Sequence, residues 1–170
     1  MKKAIVLTMM LCIAAGAGWA EALSSETHTD TGDFIVSAGI DYSGWGLGLG
    51  GGAEYMFYRW DIPGFLPLTV GATAKAGVYF FDGFHLGLGA MATAHLGTKG
   101  ITVLPEYLQN MDWYYALGLG LGIGDNGGFG IATGSGVAYY INPTLAVAYE
   151  FTYFGAGRGS TNTLGVRLEL

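Results

Sequence analysis

The stretch that most constrains the fold is Tyr114–Gly124, in which large apolar residues alternate with glycine or alanine. The large residues are Tyr115, Leu117, Leu119, Leu121 and Ile123, and between them stand Ala116, Gly118, Gly120 and Gly122. A period of two predicts a β-strand, because successive side chains point to opposite faces. The second face carries almost no side chain, whereas a soluble sheet would place polar residues there. This pattern is typical of a barrel wall with lipid outside and a tightly filled lumen inside.

The same alternation recurs along the chain and predicts eight strands joined mostly by short turns. The predicted strands are 33–42, 45–60, 66–80, 84–97, 111–124, 128–141, 144–154 and 161–170. Ser43-Gly44 and Asp82-Gly83 are turn signals between them. The longest connection, Thr98–Asp112, contains a short predicted helix within residues 101–110. Because the strand number is even and the connections are short, we predict an all-β fold: an eight-stranded antiparallel up-and-down transmembrane β-barrel.

Composition agrees with a membrane barrel rather than a soluble domain. Glycine accounts for 31 of 170 residues, more than twice the usual frequency of ~7%. Charged residues make up 12% of the chain, about half the usual ~25%. The formal net charge is −6, and there is no basic patch, so the sequence argues against nucleic-acid binding.

The N-terminal residues have the pattern of a secretory signal peptide, predicted over residues 1–20. Lys2-Lys3 precede an apolar run from Ala4 to Ala17, and the small residues near Ala20 fit a signal-peptidase site. Residues 21–32 are polar and aperiodic, and predict a flexible tail in which His28 is solvated. Residues 33–170 are predicted to form the barrel. The one cysteine, Cys12, lies within the signal, so we expect a mature chain without disulfides.

Several charged residues fall on the inner parity of the predicted strands. They are Glu54, Lys75, Glu150, Arg167 and Glu169. An eight-stranded barrel is just wide enough for side chains to fill it, and charges buried there must be paired. We therefore predict a network of salt bridges that plugs the lumen; the alternative is a narrow gate for small solutes. A turn centred near Arg158–Gly159 would place Glu150 opposite Arg167 and predicts an ion pair between them.

Other residues are predicted to contact the membrane. Lipid-facing residues are Leu117, Leu119, Leu121, Leu164, Val166 and Leu168. Aromatic residues near strand ends predict interfacial girdles. The girdle residues are Tyr42, Trp45, Phe57, Trp60, Phe80, Phe84, Trp113, Tyr115, Phe129 and Tyr139.

Motifs for catalysis or cofactor binding are weak. Gly46-x-Gly48-x-x-Gly51 matches a dinucleotide fingerprint as a string, but it lies inside a strand pattern and opens no helix. His85 and His95 share a face, yet ten residues of strand separate them by roughly 33 Å. Asp82 beside His85 would suit a lipid hydrolase only with a serine nucleophile, and none is matched to them. We predict no catalytic, cofactor-binding or metal residues.

Over about Asp33–Leu170 the chain resembles the small eight-stranded bacterial outer-membrane proteins, the OmpA, OmpX and OmpW kind. The likeness rests on the signal peptide, the alternating strands and a last strand, Leu164–Leu170, that ends the sequence in Leu where the family usually has Phe. The resemblance implies Sec-type export to the outer membrane, both termini in the periplasm, lipid as the main partner, and recognition of the C-terminal strand by the barrel-assembly machinery. We expect a monomer.

These observations leave several functions open. We expect a non-enzymatic protein with a structural or surface role. The alternatives are a narrow channel or conduit for small solutes, hydrophobic ones included, as in the OmpW kind, and an enzyme that modifies outer-membrane lipid. At the level of fold, a soluble lipocalin-like barrel is the rival, and it would turn its large apolar face inward.

Overall fold

The computed structural model describes residues 23–62, 64–80, 83–125, 127–155 and 160–170. These residues form a closed barrel of eight antiparallel strands and one helical turn. The elements are β1 Phe34–Ser43, β2 Gly46–Trp60, β3 Leu68–Tyr79, β4 His85–Gly97, α1 Glu106–Gln109, β5 Met111–Ile123, β6 Gly128–Asn142, β7 Leu145–Tyr153 and β8 Ser160–Glu169. Each strand pairs with the next along the chain, and β8 pairs with β1 to close the sheet. The predicted fold class is confirmed.

Some predictions lie outside the described residues. These are the signal peptide over residues 1–20, with its cleavage after Ala20, and the proposed turn centre at Arg158–Gly159. Asp82 of the predicted Asp82-Gly83 turn is also outside. The described residues contain no helix that is long and apolar enough to cross a membrane.

The barrel carries most of its large apolar side chains outward, and its inner face has mainly polar and small side chains with a few large ones among them. In β5, Leu117 is 62% exposed, whereas the neighbouring Ala116 is 8% exposed. The strand is therefore wetted or lipid-covered on one face only, as its period of two requires. The described lipid-facing candidates Leu117, Leu119, Leu121, Leu164, Val166 and Leu168 all lie on this outer surface.

Inner glycines make room for the few large side chains that fill the lumen. A Cβ added at Gly136 would lie 2.4 Å from the ring of Tyr114, and one added at Gly87 would lie 2.6 Å from the ring of Phe154. Since neither distance leaves room for even a methyl group, glycine on the wall is the counterpart of an aromatic residue in the lumen. At these two positions the glycine is therefore explained by an aromatic ring in the lumen.

The prediction that Trp45 belongs to an outer girdle is wrong. Gly44 and Trp45 form the turn between β1 and β2, and Gly46 has a φ of 97° that only glycine adopts easily. This backbone folds the indole back over the lumen, where it is 3% exposed and stacks on His85 with ring centroids 5.6 Å apart. The strand parity used for the prediction therefore does not apply at a turn residue.

The remaining girdle candidates have exposed side chains on the outer surface. They are Tyr42, Phe57, Trp60, Phe80, Phe84, Trp113, Tyr115, Phe129 and Tyr139. A β-bulge between Met56 and Tyr58 shifts the alternation of β2, so Tyr58 is 55% exposed although it is two residues from the buried Met56.

The prediction of a flexible, solvated tail is wrong for residues 23–32. Leu23 forms an isolated β-bridge with Ile101, and the Ser24 amide donates to the carbonyl of Gly100 at 2.7 Å. Thr29 is completely buried. The polar groups of this segment bind backbone groups and the polar lumen. A polar, aperiodic sequence was therefore not a sufficient reason to predict a flexible tail.

Candidate functional site in the lumen

The candidate site is a cluster of charged and aromatic side chains inside the barrel. Each of its strands contributes side chains of the inward parity, so residues far apart in sequence converge in the lumen. The cluster consists of Glu54 on β2, Lys75 on β3, His95 on β4, Asp112 and Tyr114 on β5, Glu150 on β7 and Arg167 on β8. We call these seven residues the lumen cluster.

His95 lies between two carboxylates at the centre of this cluster. Its Nδ1 is 2.7 Å from Asp112 Oδ2, and its Nε2 is 3.0 Å from Glu54 Oε1. An ionised carboxylate only accepts hydrogen bonds, so with both carboxylates ionised both ring nitrogens carry a proton. The side chain of His95 is fully buried. This geometry therefore stabilises a cationic imidazolium that joins β2, β4 and β5.

Arg167 completes the pairing of Glu54. Its Nη2 donates to Glu54 Oε2 at 2.6 Å, and its guanidinium lies 4.4 Å from the ring centroid of Tyr114. The His95 ring also stacks on Tyr114, with ring centroids 5.1 Å apart. Arg167 is thereby held by a charge-assisted hydrogen bond and by a cation–π contact.

Glu150 forms the second ion pair of the cluster. It binds the ammonium of Lys75, and it accepts hydrogen bonds from the Tyr114 hydroxyl at 2.5 Å and from the Thr152 hydroxyl at 3.1 Å. Because the Tyr114 hydroxyl reaches Glu150 while its ring contacts Arg167, this one side chain connects the two ion pairs.

The predicted Glu150–Arg167 ion pair is wrong. In the β7–β8 ladder Glu150 lies opposite Thr163, and Arg167 lies opposite Ala146. Tyr153 pairs with Ser160, so the connection is residues 154–159 and its centre is earlier than the turn near Arg158–Gly159 that the prediction assumed. Each residue of β7 consequently meets a partner four positions earlier than expected, and both charges find partners across the barrel.

Glu169 is not part of the cluster. It lies at the end of β8, opposite Ile35, and is half-buried. Within the described part of the chain its Oε2 has no hydrogen-bond partner. The structure thus brings together four of the five charges that the sequence predicts for the lumen: Glu54, Lys75, Glu150 and Arg167.

Sequence reasoning did not include His95, Asp112 and Tyr114 in the network. His95 has the inward parity of its strand, but its partners come from β2 and β5, and no local pattern relates those strands. Asp112 lies within the predicted strand 111–124, but it was also counted in the Thr98–Asp112 connection and its parity was not considered; β5 turns this carboxylate inward, with no exposed surface. Tyr114 was treated as part of an apolar run. All three lie near a strand end at positions whose side chains alternate toward the lumen, and this was the signal that would have identified them.

A smaller polar group lies towards the end of the barrel formed by the β1–β2, β3–β4, β5–β6 and β7–β8 connections, here called the hairpin end. Asp41, 1% exposed, accepts hydrogen bonds from the Thr163 hydroxyl at 2.6 Å and from the Tyr79 hydroxyl at 3.1 Å. Between this group and Glu150 remains a cavity of about 20 Å³. That volume holds about one water molecule, so the lumen here is filled rather than open.

Comparison with known proteins gives a fold but no close relative by sequence. No protein-family model and no curated protein matches the chain. Among solved structures, a de novo designed transmembrane β-barrel has a TM-score of 0.56 at 17% identity, over 84% of this chain and 98% of that one. The N-terminal β-barrel domain of OprF from Pseudomonas aeruginosa has a TM-score of 0.56 at 18% identity, over 84% of this chain and 100% of that domain. The outer-membrane enzyme PagL has a TM-score of 0.52 at 10% identity, over 80% of this chain and 98% of that enzyme.

The fold is that of the small outer-membrane β-barrels. At these identities the likeness extends to the fold alone. A designed protein and an enzyme share this transmembrane β-barrel fold, and a fold of this kind hosts unrelated functions. The function of this transmembrane barrel must therefore be argued from its own side chains.

The described side chains of this barrel assemble no nucleophilic site. His95 has both nitrogens bound to carboxylates, and no serine or threonine hydroxyl among the described residues binds His85 or His95. His85 is 4% exposed and stacks on Trp45. The described residues also hold no group of three or more His, Cys, Asp or Glu side chains placed for a metal ion. What the lumen cluster does chemically is to neutralise buried charge and to fix strands across the barrel.

Proposed function

We propose that this chain is an integral outer-membrane β-barrel protein with a structural or surface role and a closed lumen. The observation that carries the proposal is the lumen cluster, in which Glu54 binds Arg167 and His95 while Glu150 binds Lys75. These contacts connect β2 to β4 and β8, and β3 to β7, so they cross the interior rather than line a path. A protein whose interior is occupied in this way acts through its surface and its anchorage in the membrane.

The outer surface supports the membrane location. Large apolar and aromatic side chains are exposed on seven of the eight strands, among them Ile40, Leu49, Leu119, Ile131 and Leu164, and the exposed residues of β3 are alanines. A soluble protein rarely exposes so large a contiguous apolar area, whereas the lipid-facing band of a barrel requires it. The outer-membrane neighbours support placement in that membrane. Lipid is the proposed partner, together with the assembly machinery through β8, and the protein is proposed to be a monomer.

The lumen argues against the channel alternative. A solute that followed the barrel axis would have to displace the paired guanidinium of Arg167 and the ring of Tyr114, which are 4% and 2% exposed. Both belong to a network whose partial disruption leaves buried charges unpaired. We therefore propose that the barrel conducts neither ions nor small solutes in its resting state, and that it is not an enzyme.

Planar-bilayer recording tests the proposal. The refolded wild-type protein is expected to give no steady conductance. Tyr114→Ala removes the ring that joins the two ion pairs, so this variant is expected to give measurable current and to show that insertion was successful. Tyr115→Ala, on the outer face of the same strand, is the matched control and is expected to remain silent. A steady wild-type current that rises in proportion to salt concentration would contradict the closed lumen and favour the channel.

A further inference from the structure

The N-terminal segment, residues 23–32, lies across one mouth of the barrel. This is the terminal mouth, at which β1 begins and β8 ends. The segment is tied there at several points along its length. Leu23 and Ser24 bond to the 98–110 connection, and near its other end the amide of Gly32 donates to the carbonyl of Met56 at 2.8 Å. The segment therefore spans the mouth from one wall to another.

Arg59 at the end of β2 clamps this segment from outside. Its Nη1 donates to Asp30 Oδ2 at 2.7 Å, and its Nη2 donates to the carbonyl of Ser25. Its Nε donates to Asp61 Oδ1 at 2.9 Å, which fixes the guanidinium from the other side. One side chain thus binds two points of the segment that are five residues apart.

The middle of the segment enters the mouth. Thr29 is completely buried, and its carbonyl accepts a hydrogen bond from the buried Thr69 hydroxyl at 2.8 Å. The His28 ring stacks on Tyr140 with centroids 4.4 Å apart and planes inclined by 7°. His28 Nε2 is 2.7 Å from the carbonyl oxygen of Gln109, so it is the donor of that contact. These residues cover the lumen side of Tyr140.

We propose that the N-terminal segment is a plug for the terminal mouth, and that His28 makes its docking sensitive to acid, so that it is seated near neutral pH and released as the pH falls. This goes beyond the closed lumen cluster, which lies deeper in the barrel. The device would control access from the terminal mouth to the lumen cluster, in which Asp112 and Arg167 each carry a buried polar atom with no partner among the described residues.

The direction of the pH effect follows from the surroundings of His28. Burial lowers the pKa of His28 and is the largest influence; the contact with Gln109 and the charge of Asp112 act the other way, and Lys99 opposes the charged form. Glu106 and Glu169 line the groove beside the ring. A released segment takes up a proton at the ordinary pKa of ~6.5, whereas the docked one takes it up only at lower pH. As the pH falls below the ordinary histidine pKa of ~6.5, proton uptake by His28 therefore favours release of the segment from the mouth.

Distance measurement by electron paramagnetic resonance tests both parts of the proposal. Spin labels are attached at Ser25→Cys on the segment and Thr144→Cys on the β6–β7 turn at the same mouth, both exposed positions, in the refolded full chain with Cys12→Ser. Spectra are recorded at about pH 7.5 and about pH 5, on either side of the ordinary histidine pKa. The wild-type background is expected to give one narrow distance at the higher pH and a broad, longer distribution at the lower.

Two further variants separate the plug from its pH sensitivity. His28→Phe keeps an aromatic ring on Tyr140 but takes up no proton, so its distance is expected to stay narrow at both pH values. Arg59→Gln removes the clamp and is expected to broaden the distribution already at about pH 7.5. A broad wild-type distribution at the higher pH, or a narrow one in Arg59→Gln, would overturn the plug. A wild-type distance that does not change with pH, or a change of equal size in His28→Phe, would overturn the role of His28.

Discussion

The stability of this barrel depends at the residue scale on which partner each buried charge meets. Glu54 contacts both a guanidinium and an imidazole, while Glu150 contacts an ammonium and a tyrosine hydroxyl. Removing one member of a buried pair leaves the other uncompensated, and that penalty exceeds the net value of the pair itself. Single substitutions in the lumen cluster are therefore expected to cost far more than those of exposed charges.

Glu54→Gln is the most direct test of this expectation. It keeps the side-chain shape but leaves Arg167 without its anion, so the free energy of unfolding should fall by about 3 kcal/mol or more. Glu106→Gln, an exposed carboxylate on α1, is the control and should change it by less than about 0.5 kcal/mol. Denaturant unfolding of protein refolded into lipid vesicles measures both.

A double-mutant cycle then identifies the partner. The coupling between Glu54→Gln and Arg167→Met should be at least about 1 kcal/mol, and it should exceed that between Glu150→Gln and Arg167→Met. The opposite order would mean that the β7–β8 register in solution is the one predicted from the turn rather than the one in the structure.

A second prediction at this scale concerns two glycines that face the same aromatic ring. A Cβ at Gly87 would lie 2.6 Å from Phe154, but one at Gly89 would lie 3.4 Å from it, which is ordinary contact. Gly87→Ala is thus expected to lower the free energy of unfolding by about 1–3 kcal/mol through overpacking. Gly89→Ala on the same strand and face should be tolerated or slightly stabilising. Equal effects of the two substitutions in vesicle unfolding would show that Phe154 does not fill the lumen at this level.

At the scale of elements, the period of two was sufficient to find the strands. Every predicted strand overlaps its observed counterpart with ends that differ by at most two residues, because alternation is a local property of the chain. The register between strands was harder to predict, because it depends on the centre of each turn. At β7–β8 the predicted centre was too late in the chain, and Glu150 was therefore paired wrongly with Arg167. The docking of residues 23–32 was missed because it rests on contacts with partners such as Thr69 and Gln109, which are distant in sequence.

The depth of a strand position in the membrane gives a prediction at this scale. Leu117 is at the middle of β5 and Ile123 is at its end, and both side chains are exposed on the outer face. Leu117→Arg should therefore cost about 2–4 kcal/mol and Ile123→Arg only about 0–1 kcal/mol. Unfolding in lipid vesicles measures this difference, and a soluble barrel, for which both positions would face water, should show neither penalty.

At the scale of the whole molecule, apolar side chains outside and polar side chains inside are the arrangement expected of a barrel in a membrane. The filled lumen argues against functions that need an open pore. The composition and the alternation already predicted the membrane barrel. The interior was predictable only in outline: parity showed which charges point inward, but the pairs that join β2 to β8 and β3 to β7 depend on the closed shape of the barrel. The fold itself leaves the biological role open, because proteins with different roles share it.

The central claim is that lipid lies outside this barrel and that the lumen inside it is closed. The most direct test is to measure the accessibility of thiols at inward and outward positions of the same strands. Cysteines are placed at the inward Ser37 and Thr163 and at the outward Val36 and Leu164, all on the β1–β8 seam, in a Cys12→Ser chain refolded into vesicles. The inward thiols should resist a charged aqueous reagent until the protein is unfolded, and the outward thiols should react only with a membrane-soluble reagent. Rapid modification of the inward thiols by the charged reagent would contradict a closed lumen, and rapid modification of the outward thiols by it would contradict a membrane barrel.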